Sequence, residues 1–309
     1  MRVIKQYSLG GPEVLEVVEA QRPAPEGGQV LVRVHATGIN PADGKVRSGY
    51  VRFFGEPPLV LGHEFSGVVD EVGAGVTGFR PGDEVFGWTT PPDGSHADYV
   101  LVPETSIAAK PTTLDHVHAG ALGIAGLTAY QTLVNIARVR PGQRVLVHAA
   151  AGGVGHFAVK IAKARGAYVI GTARAAKHPF LRELGADELI DYTTADFTAL
   201  RDVDVVIDTI SNDYGPRSLR TLGRGGILID VVGVGVDRTA VREQAEAGGV
   251  RFVEYFLAPS PADLAGFADL IDRAGVRPSV EETLPLAEAA KAHELIESGR
   301  VRGKIVLVP

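Results

Sequence analysis

Ala149-Ala150-Ala151-Gly152-Gly153-Val154-Gly155 lies between a short β-branched run, Arg144-Val145-Leu146-Val147-His148, and a helical pattern from Val154 to Arg165 that stops at Gly166. Strand, glycine turn and helix in that order are the context a dinucleotide-binding loop requires. Gly152 and Gly153 carry no side chain, so a pyrophosphate can approach the backbone there. Val154 opens a helix whose free N–H groups and partial positive charge favour an anion. Gly155 lets that helix pack close to the strand. Ala150 stands where the G-x-G-x-x-G pattern has its first glycine, which weakens the bare match. The bland alternative is a glycine-rich turn with no ligand, and the elements on either side tell against it.

Those elements continue the pattern. The runs Tyr168–Thr172, Glu188–Tyr192, Val203–Asp208 and Gly226–Val232 read as strands, and Lys177–Leu184 and Arg217–Leu222 as helices between them. Strands alternating with helices give a parallel, doubly wound sheet. Upstream, to about residue 113, the chain is β-rich. Short runs such as Val30–Val34, Gly67–Val72 and Tyr99–Val102 are separated by turn signals such as Arg80-Pro81-Gly82-Asp83, as in a barrel or sandwich. Downstream, a helix is expected from a Ser260 N-cap with Pro261 at its first position to about Ala274, and another from Leu286 to Ser298. A last strand, Lys304–Val308, fits either domain by its residues alone. The expected division is 1–117, 118–253 and 254–309. The stretch from Ala119 to Ala137 has no charged side chain, but its glycines, threonines, Gln131 and Asn135 suit a buried helix between domains better than a membrane span.

Composition narrows the function. Glycine makes up 38 of the 309 residues, against an average of about 7%. A net charge of −6 with no basic stripe argues against a nucleic-acid partner. The absence of cysteine removes disulfides, thiolate nucleophiles and cysteine-built zinc sites. The charged start, Met1-Arg2-Val3-Ile4-Lys5-Gln6, has no apolar signal region, so the expectation is a cytoplasmic protein with no membrane partner.

Cofactor choice is read after the second strand of the unit, where an NAD site carries an acid for the ribose 2′-hydroxyl. Here the sequence is Thr172-Ala173-Arg174-Ala175-Ala176-Lys177-His178, with no acid before Glu183. Arg174 and Lys177 can neutralise a 2′-phosphate and Thr172 can hydrogen-bond it, so NADPH/NADP is the expected cofactor.

With these segments, Gly38-Ile39-Asn40-Pro41-Ala42-Asp43, Gly62-His63-Glu64-Phe65-Ser66-Gly67, Pro81-Gly82-Asp83-Glu84-Val85, Ala125-Gly126-Leu127-Thr128-Ala129-Tyr130 and Gly303-Lys304-Ile305-Val306-Leu307, the chain resembles a medium-chain dehydrogenase/reductase over nearly its whole length. The resemblance implies an α/β protein: a GroES-like β-rich catalytic domain with an inserted doubly wound Rossmann domain, the chain's last strand returning to the first domain. His63 sits at a catalytic zinc ligand's position, but Asn40 and Ile124 occupy those of the two cysteine ligands. One histidine and an asparagine cannot build a three-ligand centre, so no metal is expected. His63 is then a structural histidine bonded near Glu64, and His116 and His118 fall in a connecting turn.

The zinc-free branch of the family is similar in its Asn-Pro-x-Asp pattern at 40–43, followed by Arg47-Ser48-Gly49. It contains NADPH:quinone oxidoreductases of the zeta-crystallin type and enoyl and alkenal reductases. That branch carries a tyrosine at the position of Lys45 and another near Val51, beside which Tyr50 stands. The departure bears on the substrate more than on the chemistry. The implied reaction is hydride transfer from NADPH to a quinone or an α,β-unsaturated carbonyl compound, with Asn40, Lys45 or Tyr50 donating to the oxygen where charge develops. The resemblance further implies cofactor contacts from Asn40, Asp43, Thr128, Tyr130, Tyr192, Ser211, Val232, Gly233, Leu257 and Lys304, and a homodimer. Asp208, at the end of its strand, reads as a loop cap. Two other readings stand beside this one: a stand-alone enoyl thioester reductase, and an NADPH-binding module with little turnover.

Overall fold

The computed structural model describes residues 1–232 and 235–309. The chain divides into two compact units, 1–127 with 259–309, and 128–258. Both breaks fall later than the expected 117/118 and 253/254: residues 116–126 pack on strands of the first unit, while Tyr255 and Ala258 are bonded to Asp230 and Gln131 of the second.

The first unit starts with strands β1 (Arg2–Gln6), β2 (Leu15–Glu19) and β3 (Gln29–Gly38), then helix α1 (Pro41–Arg47). Strands β4 (Leu59–Val60), β5 (Glu64–Val72), β6 (Glu84–Trp88), β7 (Tyr99–Pro103) and β8 (Ile107–Ala109) lead to helix α2 (His116–Ala119). His116 and His118 therefore lie in a helix rather than a turn, which Asp115 caps by accepting from the His118 N–H. Alternating strand residues give the barrel interior: Val30, Val32 and Val34 meet Phe65, Val69, Val85, Val100 and Ile107.

Between residues 119 and 137 the helix is not continuous. Leu122–Gly126 and Gln131–Ile136 are wound as π-helix around α3 (Leu127–Tyr130), and the chain passes from one unit to the other within this stretch.

The second unit continues with β9 (Arg144–Val147), α4 (Gly153–Ala164), β10 (Tyr168–Thr172), α5 (His178–Glu183), β11 (Glu188–Ile190) and β12 (Val203–Asp208). Helix α6 (Tyr214–Leu219), β13 (Leu222–Asp230), α7 (Thr239–Ala247) and β14 (Arg251–Glu254) complete it. All six strands are parallel, in the order β11-β10-β9-β12-β13-β14. In order of appearance that is 3-2-1-4-5-6, the dinucleotide-binding order, whose ligand crevice lies at the carboxyl ends of the first and fourth strands. Helix α6 begins three residues before its expected start, and β13 begins at Leu222 and ends at Asp230, before Val232.

The chain then re-enters the first unit through α8 (Pro261–Ala274), β15 (Val280–Pro285), α9 (Ala289–Glu297) and β16 (Lys304–Val308). Ser260 caps α8 as expected, its hydroxyl accepting from the Asp263 N–H at 3.1 Å. Strand β16 pairs antiparallel with β3, Val306 opposite Gly38, which brings Lys304 beside the residues that follow β3.

Candidate active site

In the second unit, the loop after β9 turns through Ala149, whose φ of 45° is a conformation unusual for a side chain with a Cβ. The Gly152 N–H closes the turn on Ala149 O at 2.9 Å. Thus Ala149, not a glycine, supplies the left-handed bend. No side chain caps α4, so the N–H groups of its first turn face outward without a side-chain partner. A Cβ on Gly155 would lie 2.7 Å from Ala150 Cα, so the helix could not approach the loop this closely with any other residue there. Backbone donors and an uncapped helix start form a cradle that fits a pyrophosphate.

At the ends of β10 and β11 the structure brings two expected residues together: Arg174 Nε donates to the Tyr192 hydroxyl at 3.1 Å. Lys177 stands one turn further on, half-buried. Thr172 is different. It is still within β10 and its side chain faces the interior, where its hydroxyl bonds His148 Nδ1 at 3.1 Å. Asp191, an acid that sequence reading passed over, is held by the N–H groups of Ala175 and Thr193 and the Thr193 hydroxyl.

Thr128 and Tyr130 sit in α3, and Leu257 is half-buried beyond β14. Gln131 ties these segments, accepting from the Tyr255 hydroxyl and donating to Ala258 O. Past β12, Ser211 adopts φ 66° and its hydroxyl donates to Asp230 Oδ2 at 2.8 Å. Val232 N–H donates to the other oxygen of Asp230, which is also clamped by the buried Arg238. Gly233 lies outside the described residues.

Asp208 caps its loop, Oδ1 accepting from Ile210 and Ser211 N–H, while Oδ2 is buried without a hydrogen-bond partner among the described residues. Burial pushes its carboxyl up to about 6. Because the folded value lies above that of the unfolded chain, the stability tied to this group is complete below about pH 4 and is lost as pH rises through 6. The variant D208N should therefore be more stable than the parent at pH 8 by about 3 kcal/mol, with the gap closing towards pH 4. Urea unfolding at the two pH values measures it, and an equal gap at both would refute the assignment.

In the first unit, α1 begins at Asn40, whose N–H is accepted by Asp43 Oδ2 at 2.8 Å. Asp43 Oδ1 accepts from Gly62 N–H and pairs with His63 Nδ1 at 2.7 Å, so both carboxylate oxygens are taken by the protein. Burial works to raise this carboxyl, but the charge and hydrogen bond of His63 outweigh it and hold it below the usual range. The expected bond of His63 near Glu64 is replaced by this one. Two further histidines missed in the sequence, His96 and His293, pack edge to face near Asp43, and burial pushes both down to about 4.

Glu64, which opens β5, joins the remaining pieces. Its Oε1 accepts from Asn40 Nδ2 at 2.9 Å and pairs with Lys304 Nζ at 2.6 Å, and its Oε2 accepts from Ile124 N–H at 2.7 Å. Lys304 Nζ also donates to Ile39 O and Asn40 Oδ1, which uses all three of its protons. Glu64 and Lys304 are almost fully buried. Gly38 makes room for them, since a Cβ there would lie 2.9 Å from Gly120 O and closer still to the Glu64 carboxylate. Asn40 and Ile124 are thus both bonded to one carboxylate. Among the described residues no group of three histidines, aspartates or glutamates is placed to hold a metal ion. One amide proton of Asn40 remains available to a ligand. Lys45 lies 6.0 Å over the Tyr50 ring, and the two line a cavity of about 360 Å³ with Pro41, Gly44 and Ile296.

A GroES-like barrel with an inserted six-stranded Rossmann sheet is the architecture of the medium-chain dehydrogenases/reductases. The alcohol dehydrogenase GroES-like domain matches residues 26–112, and the zinc-binding dehydrogenase domain matches residues 184–307. The chain is 34% identical to rat quinone oxidoreductase, covering 100% of this chain and 98% of the relative. It is 38% identical to a 2-haloacrylate reductase from a Burkholderia species, over 98% and 97% of the two. The solved structure of Escherichia coli quinone oxidoreductase complexed with NADPH superposes with a TM-score of 0.88 at 30% identity, covering both chains fully. The chain belongs to the zeta-crystallin-like quinone oxidoreductase branch of the medium-chain dehydrogenase/reductase family.

Proposed function

We propose that this protein uses NADPH to reduce quinones or α,β-unsaturated carbonyl compounds, with no metal ion in the reaction. The glycine loop carries the reading: an uncapped helix start, a backbone cradle that Gly155 keeps narrow, and relatives named for quinone and haloacrylate reduction. Gly152, Gly153 and Val154 are assigned to the pyrophosphate. Arg174, Lys177 and Tyr192 take the adenosine phosphate, and Thr128, Tyr130, Ser211, Val232 and Leu257 border the rest of the cofactor. Thr172, whose hydroxyl bonds His148 in the interior, is given no cofactor contact.

Bound NADPH supplies a hydride to an acceptor that is already electrophilic. Negative charge then gathers on the acceptor's conjugated oxygen, where a hydrogen bond or proton lowers the barrier most. The free amide proton of Asn40 is assigned to that oxygen, with Lys45 and Tyr50 as further donors. Lys304 and Glu64 hold the Asn40 amide in one orientation, and Asp43 holds its backbone; we take these three as positioning residues. The proposal includes a homodimer, supported by the open edge of β14, and a cytoplasmic site of action, where reduced NADPH is supplied.

Oxidation of NADPH followed against benzoquinone, an alkenal and an enoyl thioester, with NADH and a chelator as controls, tests the reading. Turnover should prefer NADPH and ignore the chelator. Arg174→Gln should raise KM for NADPH about tenfold and leave that for NADH unchanged. An equal rise for both would remove Arg174 from the 2′-phosphate. Tight NADPH binding with no turnover on any acceptor would favour a binding module.

A further inference from the structure

The second unit carries a cavity of about 650 Å³ that the reductase reading does not use. Arg138, Arg140 and Arg251 line it, with Asn135 and Gln143 between them. These residues come from three separate segments: the end of the π-helical turn, the loop before β9, and the first residue of the edge strand β14. All three segments lie at the amino ends of the parallel strands. The glycine loop follows the carboxyl end of β9, about 15 Å away at the rise of a strand, so this cavity and the cofactor cradle occupy opposite edges of one sheet.

The backbone there is firmly held. Arg138 adopts φ 52°, and the residues on either side are pinned by Ala137 N–H to Thr132 O and Val139 N–H to Leu133 O, each 2.9 Å. Arg140 N–H donates to Gln143 Oε1 at 2.8 Å. A side chain with a Cβ in this conformation carries strain that the surroundings must enforce.

The charges are unusual for this chain, which has more acids than bases. Several exposed arginines meet carboxylates, Arg2 with Asp98, Arg217 with Asp196 and Arg302 with Glu281, and others bond neutral oxygens, Arg174 the Tyr192 hydroxyl and Arg201 two carbonyls. Arg138, Arg140 and Arg251 converge with no such partner among the described residues. Three guanidinium groups facing one cavity repel each other unless an anion of comparable charge sits between them. A guanidinium fork matches phosphate oxygens in pairs. A single carboxylate or phosphate would leave positive charge over, whereas a chain of two or three phosphates balances it, and the volume is that of an ordinary small-molecule site.

We infer that this cavity is a second anion site, separate from the cofactor cradle, which binds a small molecule bearing two or three linked phosphates. Isothermal titration of the whole protein with inorganic tripolyphosphate tests it, in the presence of saturating NADPH so that the cofactor cradle is filled, and again without NADPH. The expected result is one saturable site per chain that persists with NADPH present, weaker for pyrophosphate and weakest for sulfate. Arg138→Gln and Arg251→Gln should each lower the affinity about tenfold while the affinity for NADPH stays unchanged, which also shows that the variants are folded. Arg140→Gln should behave alike. Binding that disappears when NADPH is added would assign the anion to the cofactor cradle and overturn the inference. Binding that survives all three substitutions, or binding of heparin but not of tripolyphosphate, would overturn it too.

Discussion

Replacing Glu64 by alanine is expected to lower the unfolding free energy by about 3–5 kcal/mol, because it leaves a buried ammonium group uncompensated. Lys304 would keep Ile39 O and Asn40 Oδ1 but lose the carboxylate it pairs with, and the Ile124 N–H and one Asn40 amide proton would be stranded. Water cannot replace the carboxylate easily in a site this buried. Activity should fall about a hundredfold through the loss of a fixed Asn40 orientation, while NADPH affinity, assigned in the proposed function to residues of the second unit, should stay near its parent value. The double variant Glu64→Met with Lys304→Met separates the two effects. Removing both charges together should recover more than half of the lost stability, since a buried pair can be replaced by apolar groups at little cost. It should recover none of the activity. Urea denaturation and steady-state kinetics measure both, and a single E64A variant destabilised by less than about 1 kcal/mol would show that the network contributes little to the fold.

The second large effect belongs to Gly155. In Gly155→Ala the new methyl meets Ala150 Cα at 2.7 Å and the Ala149 carbonyl oxygen more closely, and both are backbone atoms that cannot rotate away. Helix α4 must retreat from the loop. The expected cost is about 3 kcal/mol of stability, with NADPH affinity reduced on the order of a hundredfold. Gly152→Ala is the control, since a Cβ there meets only Ala149 O at 3.2 Å. It should cost little stability, so any loss of affinity in it reports how closely the pyrophosphate approaches the backbone. Equal stability losses in the two variants would contradict this account.

The local signals that could be read were those in which one stretch of chain determines its own structure. Ser260 with Pro261 announced a helix start that the hydroxyl of Ser260 completes, and the run of strands from Val145 to Asp208 announced a parallel sheet. Thr172 shows the limit. Its place at the end of a strand was legible, but whether its hydroxyl faces ligand or interior depends on which side of the sheet that residue presents, and His148 decides it. Glu64 was legible as part of a motif and not as a partner, because its three donors come from Asn40, Ile124 and Lys304, which no short-range spacing relates. Asp43 lies 20 residues from His63 and was read as a ligand contact for the same reason.

The pairing of β16 with β3 has a consequence for how the molecule is made. Asn40 and Lys304 are 264 residues apart, so at ordinary rates of synthesis the first waits between about 13 and 50 s for the second to leave the ribosome. During that time Glu64 has no counter-ion, and the β-rich half cannot close around a bare carboxylate. The six-stranded sheet, whose residues 128–258 are contiguous, can assemble meanwhile. A nascent chain halted before residue 304 should therefore retain nucleotide yet be cut readily by protease near α1, and release of the last strand should then protect the β-rich unit as well.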